Sequence, residues 1–327
     1  MATRRRRARP PARKKFDPVG GPKDVDESVI EGLPARSRFV PIKERFAVTP
    51  TSVWFIDSAG TSRQKSLRAY VGDEAQTRKP EAGLGAGSQE RKEDSSFVPF
   101  RASIFNPELM GMLTEAYTEK GGLVIDPFAG GGTRAVIARA LGRDYRGIEL
   151  REEERDRVWN RLVELGLDDE ALVVTGSATH AEAWKYLSLG VDHATLITCP
   201  PYWNLEVYSD DPDDLSNTGT YSVFLERLQT VVALSFKALT PGAFSVWVVG
   251  DVRHKSGELL DFSGDLIRLH QAEGFFLHDK IVYTQKSPLA ELRQGMFDRH
   301  RLTVRNHEHV LVFKRGTGKR RPVVGSL

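Results

Sequence analysis

The chain has 327 residues, 40% of them hydrophobic, enough for one large domain with appendages or for two domains. Its one cysteine excludes an intramolecular disulfide and a four-cysteine zinc site, and no apolar run of about 18 residues exists to span a membrane or serve as a secretory signal. Net charge is +3, yet the first fifteen residues hold eight Arg or Lys and no acid, which leaves the rest of the chain mildly acidic.

In chain order, residues 1–30 mix Arg, Pro, Gly and Asp without periodicity and read as a disordered basic arm. Such an arm suits a polyanion, most often nucleic acid, although a solubilising tail has the same composition. Residues 31–96 form an extension and linker, with strand character over Phe46–Ile56 and a polar, glycine-rich stretch at Thr77–Ser96. A regular pattern occupies residues 97–315, and a short tail follows at 316–327. A helix is expected from Asn106 to Lys120, with Asn106 as its cap and Pro107 at the first helical position. Leu123–Ile125 is a short apolar strand, followed by a glycine turn and a helix over Thr133–Leu141. Further strands are expected at Tyr145–Ile148, Leu172–Val174, Ala194–Ile197 and Phe244–Val249. Helices are expected at Glu152–Leu165, Ser222–Ala238 and Gly264–Ala272. This alternation predicts an α/β fold with a doubly wound parallel sheet. Ile281–Tyr283 and Val310–Phe313 suit a late antiparallel hairpin, with the basic loop Gln285–His309 between them.

The stretch VIDPFAGGGT, Val124–Thr133, lies between a strand and a helix. Three glycines at 130–132 let the backbone turn sharply and approach a ligand closely. Asp126 ends the strand before them. Glu149 ends the next strand, in YRGIEL, where in this topology a carboxylate meets the ribose hydroxyls of a nucleoside. The spacing is neither the dinucleotide fingerprint nor a phosphate loop, and an acid before the glycines repels a pyrophosphate. The ligand indicated is a cationic nucleoside without phosphate, and S-adenosylmethionine fits. The plain alternative is a turn with incidental glycines, against which the placement of Glu149 argues.

DPFAGGGT followed by GRDYRGIEL resembles the cofactor motifs of S-adenosylmethionine-dependent DNA amino-methyltransferases. TCPPYW, Thr198–Trp203, resembles their catalytic tetrapeptide, which runs Asp/Asn/Ser-Pro-Pro-aromatic. The wider CPPYWNLEVYSDDPDDLSN and VWVVGDVRHKSG are similar to methylase-like proteins of phages and mobile elements. The resemblance covers residues 97–315 and implies a Rossmann-like class I methyltransferase fold. It implies that Asp126, Phe128, Ala129, Gly130, Gly132 and Thr133 hold the methionine part of the cofactor, Glu149 the ribose, and Ser177 and Ala178 the adenine. Phe100–Leu109 resembles the segment that closes over the methionine end.

An exocyclic amine is a poor nucleophile because its lone pair is delocalised into the ring. Pro200 and Pro201 fix the backbone, so that the carbonyls of Cys199 and Pro200 can point at the amino hydrogens. Tyr202 offers a flat face for an extruded base, and Trp203 extends it. The resemblance implies direct displacement at the sulfonium methyl, with positioning supplying much of the rate. Cys199 stands where the family carries Asp, Asn or Ser. It is nearest to Ser in size, which leans toward cytosine N4 over adenine N6. A rival reading makes Cys199 the nucleophile of a pyrimidine C5 methylation. Those enzymes usually present Pro before Cys, and here Cys precedes Pro-Pro-Tyr. Cys199 also suits a small buried position at a strand end.

Asn204–Asn217 carries five acids and is expected as an exposed rim loop, with Glu206 and Tyr208 facing the substrate and no metal bound. Asp251, in GDVR, is a candidate to orient the catalytic loop. Lys286, Arg293, Arg299, His300, Arg301 and Arg305 in the late loop form the expected surface for double-stranded DNA. Readers of a recognition sequence are expected from residues 31–100, the rim loops or a second subunit, as in a dimer. The setting expected is cytoplasmic, with modification of phage or host DNA as the role. An RNA base methyltransferase and a non-catalytic nucleic-acid-binding protein are the other readings.

Overall fold

A computed structural model describes residues 51–56, 105–188, 193–205, 207–254, 256–285, 294–303 and 305–316. The basic arm, the Thr77–Ser96 linker and the tail beyond residue 316 lie outside the described residues.

Helix α1 (Pro107–Tyr117) begins where the sequence places it. Asn106 Oδ1 accepts from the backbone N–H of Glu108 at 2.9 Å and of Leu109 at 3.2 Å, and Pro107 takes the first turn. The parallel strands are β2 (Leu123–Asp126), β3 (Asp144–Glu149), β4 (Ala171–Thr175), β5 (Ala194–Thr198) and β6 (Phe244–Val249). Between them run α2 (Thr133–Ala140), α3 (Glu152–Leu165), α4 (Ala181–Ser188) and α5 (Tyr221–Ala238). Three glutamates in its first turn suit the positive end of α3, and Gly166 closes it at φ 68°. A short hairpin, β7 (Val252–Arg253) and β8 (Leu259–Leu260), leads into α6 (Phe262–Glu273). The long strands β9 (Phe275–Gln285) and β10 (His307–Arg315) flank α7 (Gln294–His300).

With β1 (Val53–Ile56) at one edge, the large sheet has the order β1-β9-β10-β6-β5-β2-β3-β4. Strands β6, β5, β2, β3 and β4 are parallel, while β10 runs antiparallel to both β6 and β9. This is the doubly wound, Rossmann-like sheet with a late antiparallel hairpin that the sequence predicts. The hairpin strands are longer than expected and carry a register shift between Val312 and Phe313. Strand β1 (Val53–Ile56), which the sequence assigns to the extension, pairs parallel with β9 at the sheet edge. Trp54 and Ile56 face the core there, and Val53 and Phe55 face out.

Alternate strand residues feed two cores. Val124, Val246, Val248, Val310 and Val312 pack on one face with Leu113, Val136 and Leu162. Ile125, Trp247, Val249, Leu311 and Phe313 pack on the other with Trp184, Phe224 and Leu266. Burial on both faces explains why the strands read as short continuous apolar runs. From β2 the chain steps outward to β3 and β4, then resumes at β5 on the opposite side of β2. The carboxyl ends of β2 and β5 thus flank the switch point, where open α/β sheets bind their ligands.

Candidate active site

A cavity of about 540 Å³ opens at this switch point. Phe128–Arg134, Glu149 and Ser177–Thr179 line one wall, and Cys199–Tyr202 line the other. Phe105–Pro107 and Leu109 reach it from the start of α1, and Tyr283 and Glu308 from the hairpin. The loop after the Cys-Pro-Pro-Tyr turn adds Tyr208 and Asp213–Leu215.

The glycine turn is shaped by close approach. Gly132 caps α2 at φ 81°, and a Cβ there would lie 3.0 Å from Val158 Cγ2. Among the described residues no side chain caps α2. A Cβ on Gly147 would lie 2.9 Å from the Ala129 methyl, so only glycine lets the turn settle on β3. Glu149 stands at the wall with Oε2 accepting from Gly130 N at 2.8 Å and Oε1 from Arg151 N at 3.1 Å. Burial raises its pKa, while these N–H groups and the Arg151 charge act against that rise. Ser177 and Ala178 line the same wall, with Ser177 Oγ 2.8 Å from Thr179 Oγ1.

Asp126 is placed differently from the sequence expectation. It does not line the cavity and is fully buried. Its Oδ2 accepts from Arg134 Nε at 2.6 Å and Tyr145 Oη at 2.9 Å. Its Oδ1 accepts from Thr198 Oγ1 at 2.6 Å and Phe128 N at 3.1 Å. With its acceptor positions taken, Asp126 has nothing to offer a ligand directly. It ties the glycine turn to the strand that carries the Cys-Pro-Pro-Tyr loop. Burial, with Asp126 adjacent, holds the Tyr145 phenol well above its ordinary range, so Tyr145 is the donor in that bond.

In the facing wall the Tyr202 hydroxyl donates to Glu308 Oε1 at 3.0 Å, and its oxygen lies 3.5 Å from Cys199 Sγ. Because the hydroxyl hydrogen is spent on the carboxylate, the thiol is the donor to the phenol oxygen. Burial pushes the Cys199 thiol up to about 12, with the Arg134 charge opposing and Glu308 adding to the rise. The Tyr202 ring meets Phe262 edge-on at 6.2 Å.

Trp203 corrects its expected role as a stacking surface. It is buried, donates from Nε1 to Thr218 O at 3.3 Å and stacks on His254 at 5.5 Å. Its φ of 48°, strained for a bulky residue, turns the chain back into the protein. Asp251 is also displaced from its expected role. Its Oδ1 accepts from Ser263 N at 3.0 Å, at the start of α6, rather than from the catalytic loop. The acidic stretch is exposed at Asp210 and Asp211, as the rim reading expects, and closed toward its end. Asp214 is buried, accepts from Ser216 N at 2.9 Å and Ser209 Oγ at 2.9 Å, and folds the segment against the cavity.

Of the basic residues expected at DNA, Arg299 and Arg301 are exposed, and Arg301 lies over the Phe297 ring at 5.6 Å. Arg305 is half-buried and donates to the Asp251 carbonyl. None of the three lines the cavity. Glu206, Lys286 and Arg293 lie outside the described residues. Sequence reasoning missed Arg134 and Glu308. A cation one turn after an Asp-glycine motif was a usable signal for Arg134; Glu308, in HEHVLVF, gave none. Among the described residues no cluster of three or more His, Cys, Asp and Glu side chains is arranged to hold a metal ion, and no helix is long and apolar enough to cross a membrane.

Residues 23–158 match the DNA methylase family N6_N4_Mtase. The match takes in the glycine turn and Glu149 and ends before Cys199–Tyr202. The type II methyltransferase M.XycI of Xanthomonas campestris pv. cyanopsidis is 34% identical over 87 residues, which are 26% of this chain and 29% of that enzyme. The chain therefore spans under a third of that relative's length. Among solved structures, TrmN from Thermus thermophilus is 16% identical at a TM-score of 0.40, over 64% of this chain and 48% of that one. The cyclase SpnF is 15% identical at 0.45, over 65% and 82%. At that likeness the strand order itself, rather than either neighbour, defines the fold. Through the segment that builds its glycine-turn wall, the chain is similar to the DNA methylase family.

Proposed function

We propose that this protein is an S-adenosylmethionine-dependent DNA methyltransferase that methylates the exocyclic amine of a flipped base, cytosine N4 ahead of adenine N6. One observation carries the reading: the glycine turn with Glu149 and the Cys-Pro-Pro-Tyr loop share a single cavity across the switch point. The residues present suit the cofactor. Glu149 is a buried carboxylate fixed at the wall by Gly130 N, and the start of α2 has no side-chain cap. Phe128, Ala129 and Ala178 give the wall apolar surface.

When bound, the cofactor supplies a methyl group on a cationic sulfur. Glu149 receives the ribose hydroxyls, and Ser177–Ala178 flank the adenine. The Tyr202 ring stacks the target base, and its hydroxyl, held by Glu308, keeps the ring from rotating. The Cys199 and Pro200 carbonyls accept the amino hydrogens, turning the lone pair toward the methyl group. The Cys199 side chain stays a thiol: a group pushed up to about 12 by burial holds its proton at neutral pH, which disfavours the C5 route. The lean toward cytosine N4 rests on the small size of Cys199, next to Ser. Exposed Arg299 and Arg301 suit phosphate contacts outside the cavity.

The test is to incubate the full chain with methyl-labelled cofactor and mixed DNA or RNA, digest to nucleosides and identify the labelled one. Label in N4-methylcytidine or N6-methyladenine deoxynucleosides is the expected result. Label in 5-methylcytosine overturns direct transfer, label in ribonucleosides overturns the DNA substrate, and no label overturns the enzyme.

A further inference from the structure

Arg134 is a buried cation that the reaction outlined above leaves without a task. It sits in the first turn of α2, is 6% exposed, and lines the cavity. Its Nε donates to Asp126 Oδ2 at 2.6 Å and its Nη2 to the carbonyl of Phe128. The Phe105 ring covers its face at 5.0 Å and lines the cavity beside it. The remaining terminal nitrogen, Nη1, has no protein partner among the described residues and is not sealed from solvent. An arginine held so firmly on two nitrogens, with the third left open beside a cavity, is built to meet an acceptor that the protein does not supply.

The neighbourhood says what kind of acceptor. Asp126 cancels the charge of the guanidinium, so Nη1 offers a directed donor rather than a strong positive field. The start of α2 lies next to it with no capping side chain, and its N–H groups favour a negative group. Donor and helix end together match a carboxylate, while the near-neutral Asp126–Arg134 pair tolerates the ammonium that an amino-acid ligand carries with it. We infer that Arg134 Nη1 and the start of α2 bind the carboxylate of the methionine end of the cofactor, with Asp126 as the residue that positions Arg134. This rests on the cofactor reading above and assigns its methionine end to a residue that no motif names.

The test compares the affinity of the full chain for S-adenosylmethionine and for its decarboxylated form, which keeps the adenosine, the sulfonium and the amine. Loss of a hydrogen bond to a charged group predicts about ten- to hundredfold weaker binding of the decarboxylated form by the wild-type protein. In Arg134→Gln the two ligands should bind within about threefold of each other, since the charged donor is gone. If that variant does not fold, the guanidinium N–H resonances of Arg134 in the wild-type protein decide: they should move with S-adenosylmethionine and stay with the decarboxylated form. Equal wild-type affinities overturn the inference, as does a folded Arg134→Gln that keeps the full preference or a guanidinium indifferent to the carboxylate. Binding of neither ligand overturns the cofactor reading itself, a result distinct from equal binding of both.

Discussion

The glycine-turn wall of the cavity is ordered by neighbours close in the chain, whereas the Cys-Pro-Pro-Tyr wall is ordered from far away. Arg134 reaches back eight residues to Asp126 and six to Phe128, and Glu149 reaches back 19 to Gly130. Tyr202 finds its partner 106 residues on, at Glu308. The near wall is built on a buried ion pair, and the far wall on a run of hydrogen bonds from thiol to phenol to carboxylate. Asp126 joins them, through Thr198, across 72 residues. A local wall can be carried by a short motif, while a distant one depends on the whole sheet being in register.

The heaviest blow to this arrangement should be Asp126→Ala. It strands the buried Arg134 charge and removes the acceptor of Tyr145, Thr198 and Phe128 N. Breaking a buried pair from one side predicts a loss of about 3–5 kcal/mol, read by urea unfolding. A loss below about 1 kcal/mol, the range of a surface pair, would show that the near wall does not depend on its ion pair.

Next in size are two changes at Tyr202 that divide ring from hydroxyl. Tyr202→Ala removes the stacking face and should cost about 1–3 kcal/mol of transition-state stabilisation, roughly ten- to hundredfold in kcat/KM. Tyr202→Phe keeps the face and cuts only the bonds to Glu308 and Cys199, so its loss should be a few-fold, near the roughly 1 kcal/mol of one hydrogen bond. Equal losses from the two would make the hydroxyl, and not the ring, the working part of the far wall.

A third buried group backs the near wall without any charge partner. His270 is fully buried, stacks on Phe313 at 3.8 Å and meets Trp247 edge-on at 5.0 Å, and Trp247 in turn meets Phe128 at 6.3 Å. Its Nδ1 bonds the Leu266 carbonyl at 2.8 Å, and its Nε2 is buried with no hydrogen-bond partner among the described residues. Burial lowers its pKa from 6.5 to about 3. The unfolded chain therefore takes up a proton that the folded chain refuses, and stability falls as pH drops from about 6.5 toward 3. The limiting slope is about 1.4 kcal/mol per pH unit, or about 2 kcal/mol by pH 5. Unfolding curves of His270→Leu should lack this component, and parallel pH profiles for variant and wild type would refute it.

The same division of near and far explains what the sequence made legible. Asn106, the glycines and the apolar runs of β2, β5 and β6 state their structure locally, through capping, turn geometry and burial. The Asp126–glycine–Glu149 spacing puts the near wall on the page in one stretch. The pairing of β1 with β9 could not be read, because four residues of VWFI carry no sign of which edge they join. Glu308 was hidden for the same reason: its partner is set by the β10–β6 register, not by any spacing. Adjacent aromatics suggest a shared face, but the positive φ of Trp203 sends its ring to the opposite side of the loop from Tyr202.

The smallest expected effect probes the far wall most finely. Cys199→Ser replaces the thiol by a hydroxyl in a site where the side chain donates to the Tyr202 oxygen and where the proposed mechanism uses only the backbone carbonyl. A hydroxyl makes the same bond at shorter range, so folding should be kept and kcat/KM should stay within about threefold, under 1 kcal/mol. If the sulfur were the nucleophile, the loss would be complete, because a serine hydroxyl does not form a stable adduct with a pyrimidine ring. Iodoacetamide on the wild-type protein gives an independent reading. A thiol buried and pushed up to about 12 should react far more slowly in the folded than in the unfolded chain. Rapid alkylation of the folded protein at neutral pH would mean that Cys199 is a thiolate in solution and that the hydrogen-bond run from sulfur to Glu308 is not what orders this wall. Retained activity in the serine variant together with slow alkylation would leave the chemistry with the prolines, the carbonyls and the Tyr202 ring.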